Sequence, residues 1–160
     1  MSLENVSNES TWVEYDAIIE VMPWGRNDYV IVRVDAALEA AARSASTRRV
    51  DGTIDDIPVN LGINRSDVIT DAFLYAGKPL LRRLGAAPGD IVRCRLRAAD
   101  PDVVPIAEDV QRALIAANRR EAFQREPAAR RRQLLQPVES AVSPQTRQQR
   151  IAALVRTLDV

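Results

Sequence analysis

The chain has 160 residues, enough for one domain with a real core or for a small domain joined to a helical unit. Its 22 Lys and Arg residues balance 22 Asp and Glu, so net charge gives no reason to expect nucleic acid or an anionic membrane as partner. With no histidine and one cysteine, an internal disulfide is excluded and zinc is left without its usual ligands.

The polar start MSLENVSNES has neither the basic opening nor the apolar run of a signal peptide, and no stretch approaches a membrane span. A cytoplasmic location is expected, with the first ten residues outside the fold. The Asn-x-Ser triplets at Asn5, Asn8 and Asn64 are then accidental matches. Basic charge is concentrated late: residues 101–160 hold 10 basic and 7 acidic side chains, against 12 and 15 in residues 1–100.

From Val13 the pattern alternates, with Val13, Tyr15, Ala17, Ile19 and Val21 on one face, which predicts a strand ended by Pro23. Val30, Val32 and Val34 predict a second strand. The alanine-rich DAALEAAARSA reads as a short helix. TRRVDGTIDDIPVNLG reads as two strands about an Asp-Asp turn, with Gly52 at a bulge or close approach. DVITDAFLYA is a further strand-forming run, and GKPLLRRLG is a helical turn or two closed by Gly85. The clearest strand is DIVRCRLR, which sets Val92, Cys94 and Leu96 against Arg93, Arg95 and Arg97. Six short strands without long crossover helices predict a β-barrel domain over 12–99.

After AADPDVVP the period becomes helical. Ile106, Val110, Ala113, Leu114 and Ala117 form one stripe, followed by Ala122 and Phe123, then Leu134, Leu135 and Val138, then Ile151, Leu154, Val155 and Leu158. Pro105, Pro127 and Pro144 fall where helices start. Residues 104–160 are therefore expected to form three or four short helices, packed partly on the barrel or on a second copy of the chain.

Five stretches in this order carry a resemblance: VDGTIDDIP, KPLLRRLGAAPGDIVRCRLRAAD, VPIAEDVQRAL, FQREPAARRRQLLQPVESA and SPQTRQQRIAALVRTL. Together they resemble a family of small bacterial and archaeal proteins. In these a β-barrel domain of unknown function precedes a helical segment of the YdeI/OmpD-associated, bacteriocin-protection type. The resemblance implies a double-split β-barrel for the first part. It implies no established enzyme activity and no agreed ligand. Gly52 and Thr53 match the family's Gly-Thr turn, Gly89 and Asp90 its Gly-Asp before the last strand, and Thr146, Arg147 and Arg150 its Thr-Arg motif. Ala107 replaces a proline usual before the acidic pair Glu108 and Asp109.

Candidate sites are few. Asp51, Asp55 and Asp56 could act as metal or acid–base carboxylates, but a polar turn accounts for them more simply. Cys94 lacks a histidine partner for nucleophilic chemistry and is expected in the core. Arg93, Arg95 and Arg97 form a row that could meet a phosphate or an acidic partner, or pair with the acids of VEYDAIIE; Lys78, Arg82 and Arg83 are weaker cations of the same kind. The arginine-rich helices lack any helix-turn-helix, zinc-finger or RNA signature, so nucleic acid is not favoured.

The favoured reading is a non-enzymatic binding module that recognises a small anionic ligand or an acidic protein partner, through the arginine strand and the basic helices. Homo-oligomerisation is compatible with it, and no cofactor or metal is expected. Replacing Arg93, Arg95 and Arg97 by serine should then abolish binding. The alternatives are an enzyme on a small anionic substrate, with Asp55 or Asp71 as base, and a nucleic-acid-binding regulator. Ser143 and Pro144 suit the N-cap and first turn of the last helix. Arg147 falls on that helix's apolar stripe and must be paired or reach solvent over its aliphatic stem; partial burial against a carboxylate or exposed carbonyls is expected, as a structural clamp, with Thr146 and Arg150, between the two parts.

Overall fold

A computed structural model describes residues 11–158; the expectations for the first ten residues, including Asn5 and Asn8, lie outside this range. The chain divides into two compact units, the first ending at Pro101 and the second beginning at Asp102.

The first unit is built on six antiparallel strands: β1 (Val13–Trp24), β2 (Asn27–Arg33), β3 (Arg49–Ile54), β4 (Ile57–Gly62), β5 (Phe73–Tyr75) and β6 (Ile91–Ala98). The helix α1 (Ala36–Ser44) follows β2, and α2 (Lys78–Leu84) follows β5. The sheet order is β4-β3-β6-β1-β2-β5. β1 joins its two halves, because Val13–Ile18 pair with β6 whereas Ile19–Trp24 pair with β2.

Alternation puts Ile19, Val32, Val50, Ile54, Leu74, Val92, Cys94 and Leu96 in one core, which Leu38 of α1 and Leu80 of α2 close. On the opposite face of the second half-sheet, Met22, Ile31 and Phe73 form a smaller cluster against Trp24, Tyr29 and Ile69. The β-plus-α class is as the periodicity indicates, but the sheet is open rather than a closed barrel. Among the described residues, β5 pairs with β2 for three residues, and beyond that ladder Phe73 makes one isolated bridge to Asn64, just past β4. Most of DVITDAFLYA is therefore loop, with Val68 exposed and Ile69 turned onto the small cluster.

Pro23 does not end β1. β6 pairs only as far as Ile18, so beyond that point β1 has one neighbour in the ladder and a residue without an N–H is tolerated on the open side. Gly52 sits at φ 137°, and a Cβ there would lie 2.1 Å from the Arg95 carbonyl oxygen. The close approach of β3 to β6 thus requires glycine. Asp55 and Asp56 both take positive φ, 46° and 63°, and form the two-residue turn of the β3–β4 hairpin.

The second unit consists of α3 (Glu108–Ala116), α4 (Arg120–Arg125), α5 (Ala128–Glu139) and α6 (Pro144–Thr157). Val110, Leu114, Phe123, Leu135, Val138, Ile151, Leu154 and Leu158 bury one another there. Ser143 caps α6 by accepting from the Thr146 N–H, and Pro144 occupies the first turn. No helix among the described residues is long and apolar enough to cross a membrane.

Candidate functional site

The alternation of β6 turns Arg93, Arg95 and Arg97 to the outer face of the sheet, and each meets a carboxylate there. Arg93 lies 3.2 Å from Asp16, Arg95 3.9 Å from Glu14 and Arg97 3.1 Å from Asp51. Register explains the pairs, since Asp16 is opposite Arg93, Glu14 opposite Arg95, and Asp51 opposite Arg97. The guanidinium carbons of Arg95 and Arg97 also lie 3.8 Å and 4.3 Å from the centre of the Trp12 ring. The row is a ladder of matched ion pairs on an aromatic seat, with no positive charge in excess.

Lys78 is not part of it. It opens α2, whose Leu80 packs into the core on the other side of β6. Arg83 donates to the Pro58 carbonyl.

The carboxylates are also engaged. Asp55 Oδ1 accepts from the Arg93 backbone N–H at 2.7 Å, and Asp71 accepts from Arg33, which Glu20 holds through two bonds of 2.9 Å. No group of three or more acidic or cysteine side chains that could hold a metal is gathered among the described residues. Cys94 is buried, and burial pushes its thiol up to about 11. It stays a protonated core group at neutral pH. Burial likewise raises the Tyr15 phenol, whose hydroxyl donates to the Arg33 carbonyl.

Arg147 binds Asp109 through both oxygens, Nε to Oδ2 at 2.6 Å and Nη2 to Oδ1 at 2.8 Å, and Nη1 reaches the Val138 carbonyl. Its hydrogen bonds hold the Asp109 carboxyl down at about 2, well below its ordinary 3.8. Arg150 donates to the Pro137 carbonyl at 2.8 Å and to Ser140 Oγ at 3.3 Å, at the end of α5. The Thr146 hydroxyl accepts from Ser143 Oγ. These partners correct the expectation of a clamp between the two parts: they lie on α3, α5 and the α5–α6 turn, so the clamp joins helices of one unit.

A different group of cations surrounds a cavity of about 460 Å³, lined by Glu39, Ala42, Arg43, Ser46, Thr47, Arg48, Ile63, Asn64 and Arg65. Two stretches supply it, the end of α1 with the loop into β3, and the chain leaving β4. Backbone bonds fix both: Ile63 N–H donates to the Arg48 carbonyl, and Asn64 exchanges two bonds with Phe73. The Thr47 hydroxyl donates to the Ala99 carbonyl and pins the floor.

Glu39 Oε1 accepts from both Arg43, at 2.9 Å, and Arg65. Arg48 is exposed, and its side chain makes no hydrogen bond or ion pair within the described residues. The end of a helix is ordinarily adverse to anions. Here the carbonyls of Ala41, Ala42 and Arg43 already accept from the N–H groups of Ala45, Thr47 and Ser46. Sequence reading missed these arginines because none lies on a strand face or repeats with a period; topology brings Arg65 beside Arg43 and Arg48.

No curated protein and no solved structure matches the chain significantly. The model of the family described as "Bacteriocin-protection, YdeI or OmpD-Associated" matches residues 103–159, which contain all four helices of the second unit. After its N-terminal β unit the chain thus carries a helical segment similar to the bacteriocin-protection, YdeI or OmpD-associated family.

Proposed function

We propose that the protein is a non-enzymatic binding module whose β unit takes a small anionic ligand in the cavity between α1 and the chain leaving β4. The supporting observation is the charge of its wall, where three arginines face a single carboxylate. A cavity of about 460 Å³ suits a small molecule. Arg43 and Arg65 are held ready by Glu39, so little side-chain entropy is lost when an anion arrives. By contrast, every arginine of the β6 row faces its own carboxylate, and an anion there would have to displace that partner.

Calorimetric titration with inorganic phosphate tests this reading. Replacing Arg48 and Arg65 together by serine is expected to weaken binding by about 10-fold or more, the scale of losing charge-assisted hydrogen bonds. Equal affinity of the wild type and the double variant would contradict it.

A further inference from the structure

The cavity wall narrows the ligand class, an argument that rests on the anion-binding reading above. Three arginines against Glu39 leave two positive charges in excess, a match for a dianion rather than for a single carboxylate or a sulfate ester. Arg48 keeps its whole fork of donors open, the geometry that meets two phosphate oxygens at once.

The rest of the wall is polar but not aromatic. Glu39 Oε2, Ser46 Oγ and Asn64 Oδ1 make no hydrogen bond within the described residues, so hydroxyl groups of a ligand would find both acceptors and a donor. Apolar contact is limited to Ala42 and Ile63, and no ring is present on which a base could stack.

We infer that the cavity holds a small, non-aromatic phosphomonoester bearing hydroxyl groups. Arg48 reaches the phosphate, beside Arg43 and Arg65, and Glu39 accepts from the hydroxyls.

The test titrates the full chain with glycerol phosphate, phenyl phosphate and succinate. Glycerol phosphate is expected to bind about 10-fold more tightly than either of the others, a difference of the size that one or two well-placed polar contacts supply. Its affinity should rise from pH 5 to pH 7 as the second phosphate proton leaves near pH 6. Arg48→Ser should lose that advantage without changing the unfolding midpoint, because the side chain is exposed and makes no hydrogen bond or ion pair within the described residues. Succinate or phenyl phosphate binding as tightly as glycerol phosphate, or no pH dependence, would overturn the ligand class while leaving the anion site standing. Binding of none of the three, nor of inorganic phosphate, would overturn both.

Discussion

Among single residues, Asp109 and Arg147 carry the clearest energetic consequence. The Asp109 carboxyl titrates at about 2 in the fold against an ordinary 3.8, so the folded state binds the proton less readily than the unfolded chain. Its contribution is therefore complete above about pH 5 and is lost as pH falls through 4 toward 2. Asp109 is 38 % exposed and Arg147 29 %, so solvent screening reduces the contribution to about 1 kcal/mol. Asp109→Asn should lower stability by that amount at pH 7 and by almost nothing at pH 2, as read by urea unfolding at both values. A pH-independent difference would count against the pair. That Arg147 needs a partner or a path to solvent follows from its place on the apolar stripe of α6. Which partner it takes does not, because Asp109 lies 38 residues away on α3 and only the packing of the helices brings the two together.

At the level of elements, the sheet depends on two backbone features. Gly52 lets β3 approach β6 so closely that a Cβ would lie 2.1 Å from the Arg95 carbonyl and 2.9 Å from Trp12 Cζ3. Gly52→Ala should therefore cost on the order of 3 kcal/mol, combining positive-φ strain with overpacking, and lower the thermal midpoint sharply. The Asp55–Asp56 turn should behave oppositely. Asp56 holds φ 63° and is exposed, so Asp56→Gly removes left-handed strain and should stabilise by about 0.5 kcal/mol in chemical unfolding. Both features were legible because Gly and paired Asp have few uses inside an alternating pattern. The open sheet was not. The apolar run DVITDAFLYA has strand composition throughout, and only the pairing shows that β5 stops at three residues.

Across the whole molecule, each unit closes its own core. Phe123 is fully buried among the helices of the second unit, while the cavity is lined wholly by residues of the first. Phe123→Ala should cost the helical unit about 3–5 kcal/mol. Phosphate binding by the β unit should survive it, and loss of binding would show that the units do not act separately. The two-part organisation could be read from the change of period near AADPDVVP. The cavity could not, since Arg43 and Arg48 sit 22 and 17 positions before Arg65 with no motif to join them. The most direct test compares two triple variants in one phosphate titration. Arg43, Arg48 and Arg65 replaced by serine should weaken binding by about 10-fold or more, while Arg93, Arg95 and Arg97 replaced by serine should leave it within about twofold. Loss of binding in the β6 variant, with affinity retained in the cavity variant, would contradict the assignment.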